Sequence, residues 1–352
     1  MVKPRAQLYS LSVCEHGGKR EQVAKGKILD FSTNLNPYGP PDFVFDAIKA
    51  AIEGLGRYPD NECSELRAKI SKKIGCREEE VLVGAGVSEL IQLVAYSFAK
   101  TRVLMLKHTY GEYEIAARVI GAEVKRIEMP GLRILPELIV DEMQPEDVVF
   151  LCNPNNPTGQ YLGKEELEQL IEAAERIDAL LVLDEAYVDF VRAAFSSHSC
   201  ISSTQNLLIL RSLTKSFAIP GVRIGYAIGS EGAIKTLRKI KAPWGVSVFA
   251  DSIGTAVMGA EGDIFLKATI EKIERSKERI ENELAIHSDA NLYILDVGDA
   301  GKKKQELLKH GVVVRDCTSF GLPSHVRFSV RTDEENDLLI HSLLEECNVK
   351  ER

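Results

Sequence analysis

The chain has 352 residues, 45% of them hydrophobic, with a formal net charge of −8. That is ample apolar material for a sizeable core and more than one domain. Lysines and arginines are dispersed among a larger number of carboxylates, which argues against nucleic acid or an anionic membrane as the main partner. The seven cysteines are scattered, with no C-x-x-C and no recognisable pairing with histidines. They read as free thiols in a reducing compartment rather than a disulfide frame or a zinc site. The first twenty residues hold no apolar core of a signal peptide, and no apolar run is long enough for a bilayer, so a soluble cytoplasmic protein is expected.

Residues 1–42 are irregular and rich in turn formers, notably His16-Gly17-Gly18 and the stretch from Asp30 to Pro41. Asp42 is expected to cap a helix over 43–54. The loop Arg57-Tyr58-Pro59-Asp60 precedes a helix over 62–74, closed by Gly75. From residue 81 the pattern becomes regular, with apolar strands predicted at 81–83, 102–106, 123–127, 147–152, 179–183, 206–210 and 224–228. Segments of helical period lie between most of them, such as Ser88–Ala99, Tyr113–Ile120 and Lys164–Arg176. Continuous rather than alternating apolar strands suit a sheet covered on both faces. The expected class is therefore α/β, a three-layer, doubly wound, mostly parallel sheet. The crossover from 184 to 206 shows no strong period.

After Pro243-Trp244-Gly245 the character changes. Helices are predicted over 246–259 and 262–287, the second heavily charged. A strand at 291–296, a helix near 301–309, strands at 311–314 and 325–330, and a helix over 333–346 follow. The expected division is an N-terminal arm over 1–42, a large domain over 43–245, and a smaller α/β domain over 246–352. The long charged helix would join the two domains, and the arm would belong with the smaller one.

In doubly wound sheets ligands sit beyond the carboxyl ends of the strands, so the polar residues after each apolar run are the informative ones. The run Leu207–Leu210 stops in a cluster that holds Ser212, Lys215 and Arg223. Two of these can hold a phosphate, and the third is an amine whose pKa falls beside other cations, as a Schiff-base lysine requires. A lysine and an arginine facing solvent at a strand end is the plainer reading. The loop Gly84-Ala85-Gly86-Val87-Ser88-Glu89 opens a helix and can bind a phosphate through free N–H groups, although a tight turn explains its glycines equally well. Tyr110 follows another strand, as a stacking ring or a core residue. Asn153–Gly159 is a turn whose two prolines should expose asparagine amides. Asp184-Glu185-Ala186-Tyr187 brings a carboxylate and a phenol to the same edge. A phosphate cradle, a ring, an amide, a carboxylate for a ring nitrogen, a phenol and an amine together suit pyridoxal phosphate.

On Asn153–Gly159, Asp184–Tyr187 and Ser212–Tyr226 the chain resembles the fold type I pyridoxal-phosphate enzymes, in the aminotransferase class I/II group. Within that group it is most similar to threonine-phosphate decarboxylases of cobalamin biosynthesis, then to histidinol-phosphate aminotransferases. The decarboxylase likeness rests on His16-Gly17-Gly18, on Asp30–Pro37, on Ala218-Ile219-Pro220-Gly221, and on Val314–Cys317 followed by Arg327–Arg331. Lys19, Ala85 and Gly245-Val246-Ser247 depart from the family pattern.

The resemblance implies that Lys215 carries pyridoxal 5'-phosphate and that Asp184 pairs with its ring nitrogen. It places Asn156 and Tyr187 on the ring hydroxyl and Tyr110 on the ring face. Ser212, Arg223 and the N–H groups of Gly86, Val87 and Ser88 would hold the phosphate. Tyr58 would reach that phosphate from a neighbouring subunit, which implies a homodimer. Arg315 and Arg331, with Asn34, Asn156 and His16, would grip a small phosphorylated amino substrate. The implied reaction is decarboxylation of L-threonine O-3-phosphate, with transamination of histidinol phosphate as the alternative. The bond set perpendicular to the ring decides between them. A cofactor-binding sensor without turnover would carry a DNA-binding module, for which residues 1–42 are too short and too rich in turns.

Overall fold

The structure, a computed structural model, describes residues 2–9, 11–18 and 28–344. In chain order its regular elements begin with β1 (Leu29–Asp30), α1 (Asp42–Ala51), α2 (Ser64–Ile74), β2 (Val81–Gly84), α3 (Val87–Phe98) and β3 (Arg102–Leu106). They continue with α4 (Glu112–Ile120), β4 (Glu123–Ile127), α5 (Pro136–Glu142), β5 (Val148–Cys152), α6 (Lys164–Ile177) and β6 (Leu180–Asp184). Then come β7 (Leu207–Ser212), α7 (Leu213–Ser216), β8 (Gly225–Gly229), α8 (Glu231–Ile240), α9 (Val248–Val257) and α10 (Ala260–Leu284). The chain closes with β9 (Leu292–Asp296), α11 (Ala300–Lys309), β10 (Val312–Val313), β11 (Arg315–Asp316), β12 (His325–Ser329) and α12 (Asp333–Leu344).

Seven strands form one sheet in the order β2-β8-β7-β6-β5-β3-β4, in which β8 alone runs opposite to the other six. Successive residues of a strand point to opposite faces, so a run without polar members must be covered twice. Val149 and Leu151 enter one core with Leu66 of α2, Leu167 of α6 and Ile253 of α9. Val148 and Phe150 enter the other with Leu90 of α3, Ala117 of α4 and Leu237 of α8. The result is the expected three-layer α/β sheet. Burial of each large side chain contributes roughly 1.5–3 kcal/mol, and Phe150→Ala would cost roughly 3–5 kcal/mol.

The antiparallel β8 has a consequence for function. Ser212 and Gly84 are both paired with Gly225, so the end of β7, the end of β2 and the start of β8 share one edge. Arg223, which precedes β8, therefore reaches the edge where the other strands finish.

A second sheet has the order β11-β12-β9 and is antiparallel. Val326 and Phe328 of β12 pack into a third core with Ile273 and Ile280 of α10. Arg327 and Ser329, at the alternate positions, face away from it. The N-terminal segment joins this region through the parallel pair of β1 with β10, extended by the N–H of Phe31 to the carbonyl of Val313 at 2.8 Å.

Some elements differ from their predicted form. Pro41, not Asp42, occupies the cap of α1, and Asp42 makes no capping bond. Its charge in the first turn still complements the helix dipole. That helix ends at Ala51 and continues as a 3-10 turn over Ile52–Gly54. Both α5 and α8 went unpredicted, the first because seven residues hardly establish a period, the second although Ala233, Ile234 and Leu237 line one buried face at helical spacing. The strand predicted at 311–314 divides into β10 and β11 at Val314. The irregular crossover holds two 3-10 segments, Val188–Phe190 and Ser197–Ser203. Lys19 and the last two residues of the helix predicted over 333–346 lie outside the described residues. Among the described residues, no helix is long and apolar enough to cross a membrane.

Candidate active site

At the carboxyl edge of the large sheet, facing β12, lies a cavity of about 700 Å³. Lys215 lies there in α7, directly after β7, and donates from Nζ to the carbonyl of Thr33 at 3.2 Å. Its amine is pushed down to about 8, by burial first and then by the cations of Arg327 and Arg223. Near neutral pH a fraction of it is thus an uncharged nucleophile. Asn36 fixes the surrounding backbone, its N–H donating to the carbonyl of Lys215 at 3.0 Å and its amide to that of Ser216 at 2.9 Å.

Asp184 ends β6 and is buried. Tyr113 donates to its Oδ2 at 2.7 Å, and the N–H of Ala186 to its Oδ1 at 3.1 Å. Burial raises its pKa to about 6 against these bonds, so it is still ionised at neutral pH. Tyr113 is itself held flat against Phe150, with ring centres 5.0 Å apart. Nothing in the sequence marks Tyr113 for this role, because α4 and β6 meet only through the fold.

Ser212, Arg223, Val87 and Ser88 line one end of the cavity. The Ser212 and Thr214 hydroxyls are 2.8 Å apart and form a pair of which Thr214 was not anticipated. Gly86, with φ of +88°, approaches Arg223 so closely that a Cβ would stand 2.7 Å from Nη2. Tyr110 lines the wall, its hydroxyl 3.5 Å from Ser88 Oγ.

Of the asparagines in the Asn153–Gly159 turn, the prediction of exposure fails, since all three are buried. Asn153 and Asn155 turn inward and brace the loop, for example through Asn155 Nδ2 to the carbonyl of His108 at 3.0 Å. Only Asn156 faces the cavity, as does Tyr187, whose phenol is raised to about 12 by burial. Asn34 sits behind Tyr187, donating to its hydroxyl at 3.4 Å, with its Oδ1 buried and, among the described residues, unpartnered.

Three guanidiniums line the opposite wall. Arg315 donates to the carbonyls of Glu15 and His16, at 2.8 and 3.3 Å, and Arg331 to that of Asp30 at 3.0 Å. Arg327 was not among the predicted residues, yet it is the most buried of the three. It donates to Asn156 Oδ1 at 2.5 Å, and among the described residues its Nε has no partner. The alternation of polar Arg327 and Ser329 with apolar Val326 and Phe328 was the available signal. His16 lies at the mouth, 2.9 Å from Glu112. Tyr58 does not line the cavity; it is exposed and stacked on Trp244, with ring centres 4.3 Å apart.

The residues present fit pyridoxal 5'-phosphate. The cavity supplies hydroxyls, a guanidinium and a close glycine approach for a phosphate, a buried carboxylate, an amide and a phenol for a ring, and a depressed amine for an aldehyde. Such a set defines a pyridoxal phosphate-dependent enzyme.

The family model for aminotransferase class I and II matches residues 26–343, and the chain belongs to that family. Its cofactor is accordingly pyridoxal 5'-phosphate. The chain is 33% identical over 343 residues to a Caldanaerobacter subterraneus protein provisionally named threonine-phosphate decarboxylase, covering 94% of this chain and 93% of that protein. It is 30% identical over 363 residues to histidinol-phosphate aminotransferase 1 of Bacillus thuringiensis, covering 99% and 97%. Among solved structures it is similar to the histidinol-phosphate aminotransferase of Clostridium acetobutylicum, with a TM-score of 0.82, 27% identity and coverage of 90% and 98%. L-threonine-O-3-phosphate decarboxylase of Porphyromonas gingivalis gives a TM-score of 0.82, 25% identity and coverage of 90% and 99%.

Proposed function

We propose that this enzyme decarboxylates L-threonine O-3-phosphate to (R)-1-aminopropan-2-ol phosphate, in the cytoplasm, as a step of cobalamin biosynthesis. One observation carries the reading: Arg315, Arg327 and Arg331 line a single cavity. Threonine phosphate brings a carboxylate and a phosphate, and the guanidinium fork suits both. Histidinol phosphate has no carboxylate, so in its transamination only the 2-oxoglutarate partner would occupy a second such position.

Bound pyridoxal phosphate supplies an electron sink for the bond cleaved at the substrate's α-carbon. Asp184, ionised at neutral pH, holds the proton on the ring nitrogen. Asn156 and Tyr187 orient the ring hydroxyl, and Tyr110 covers a ring face. Ser212, Thr214, Arg223 and the N–H groups of Gly86, Val87 and Ser88 retain the cofactor phosphate. Arg327 grips the substrate carboxylate beside Asn156, while Arg315, Arg331 and His16 receive its phosphate; Asn34 steadies Tyr187. Lys215 returns a proton to the carbon that has lost the carboxylate.

The protein acts as a homodimer in which Tyr58 of one subunit completes the phosphate site of the other. The division at 42 and 245 into arm, large domain and small domain places the cavity between the two sheets.

Holoenzyme given threonine phosphate should release CO2 and aminopropanol phosphate without forming a keto acid. The second reading is transamination of histidinol phosphate, favoured by the Bacillus relative that spans nearly the whole chain. Activity that needs 2-oxoglutarate and histidinol phosphate would establish it instead.

A further inference from the structure

The scattered cysteines predict no zinc site, yet Cys14 and His16 stand two residues apart in the N-terminal arm and meet Glu112 through the fold. The thiol sulfur, an imidazole nitrogen and a carboxylate oxygen all lie within 4.8 Å of one another. His16 Nε2 is 2.9 Å from Glu112 Oε1. Cys14 Sγ rests over Gly111, where a Cβ would approach it to 2.8 Å, so the missing side chain makes the room.

The convergence does not depend on a loose strand. Arg315 grips the carbonyls of Glu15 and His16, between and beside the two arm ligands. The N–H of Gly18 donates to Ser32 Oγ at 2.9 Å, and a Cβ at Gly17 would collide with the carbonyl of Ser32. Glu112 belongs to the first turn of α4, whose backbone is fixed by packing of Tyr113, Ala116 and Ala117 into the core. The ligand backbones are thus set before any cation arrives.

We infer that Cys14, His16 and Glu112 bind one thiophilic divalent cation, zinc by preference, at the mouth of the active-site cavity, and that this cation inhibits the enzyme. One sulfur, one imidazole and one carboxylate suit zinc rather than magnesium or calcium, which take oxygen ligands. Three protein ligands leave a fourth position open. Cys14 and His16 both line the cavity, so a cation held by them sits beside the substrate's path. On binding, the Cys14 proton leaves to solvent and the sulfur–metal bond replaces it. His16 Nε2 is then committed to the metal and unavailable to an anionic substrate, which is how inhibition arises. This last point rests on the proposed position of the substrate; the binding itself does not.

The test uses holoenzyme titrated with ZnCl2 against a chromogenic chelator, with Cys14→Ser and Glu112→Gln alongside. One equivalent should bind, and each substitution should weaken it by about tenfold or more, the scale seen when even an outer partner of a metal site is removed. Co2+ in place of zinc should give a thiolate charge-transfer band that Cys14→Ser abolishes. Cys14→Ser should turn over normally in zinc-free buffer and resist added zinc. Absence of a one-equivalent site, or equal affinity in all three proteins, overturns the site. Tight binding that both substitutions weaken, with unaltered turnover, overturns the inhibition while leaving the proposed reaction untouched.

Discussion

Tyr113 donates its phenolic proton to Oδ2 of Asp184 at 2.7 Å, at the floor of the cavity, with both side chains buried. This bond favours the ionised carboxylate, while burial opposes it. In Tyr113→Phe burial, the Ala186 N–H and the charges of Glu185 and Lys215 remain, and with the Tyr113 bond gone the carboxyl pKa rises. A hydrogen bond to a charged group is worth about 1.5–3 kcal/mol, which corresponds to roughly one pH unit or more. The window over which the cofactor-free protein loses stability as pH rises should therefore extend about one unit higher, and an unmoved window would remove Tyr113 as a partner that favours the ionised Asp184.

Asp184 also weakens the fold it serves. Its pKa is raised from 3.8 to about 6, so between those values the folded protein keeps a proton that the unfolded chain has released. Stability falls as pH rises through that window, and the deficit persists at pH 7. Cofactor-free Asp184→Asn should be more stable than the parent in urea at pH 7, by up to about 3 kcal/mol, yet inactive when loaded. Lys215 has the opposite sign, being lowered from 10.5 to about 8. It makes stability rise between pH 8 and 10.5, and cofactor-free Lys215→Met should lose that rise.

Borohydride reduction of the loaded protein should fix the cofactor on Lys215 Nζ, where peptide mapping can find it. Lys215→Ala should hold the cofactor without covalent fixation and lose about 10³-fold or more in kcat, since general acid–base work contributes about 10²–10⁴-fold. A labelled peptide elsewhere would displace Lys215 from its proposed role.

Arg327 and Arg331 are separable by experiment. Arg327→Lys keeps the charge but loses the planar fork beside Asn156, and kcat/KM should fall about 10- to 100-fold. With the carboxylate less firmly set, some α-proton loss should compete and a keto acid should appear, detectable by mass spectrometry. Arg331→Lys should raise KM with less effect on product identity. Reversal of the two outcomes would make Arg331 the carboxylate partner.

Gly86→Ala should weaken cofactor binding about tenfold or more. The backbone there has φ of +88°, costly for alanine by about 1–3 kcal/mol, and the methyl would displace the Arg223 guanidinium. Equilibrium dialysis of the cofactor measures the effect directly, and unchanged affinity would remove Arg223 from the phosphate site.

The sequence by itself determined the alternation of strands and helices, the two-sided burial of the large sheet, and the residues that follow each strand. Those signals are local, because a continuous apolar run and the polar cluster that ends it are neighbours in the chain. Lys215, Asp184, Ser212 and Tyr187 could be read for this reason. Only the tertiary structure decided that Arg327 rather than Arg331 lies deepest, since β12 must pair with both β9 and β11 before its polar face acquires a cavity. The same holds for Tyr113 beneath Asp184, for Asn36 against Lys215, and for Cys14 and His16 beside Glu112. Each of these contacts joins residues distant in sequence, and the energy that holds them together comes from packing of whole elements, which leaves no pattern in the residues that meet.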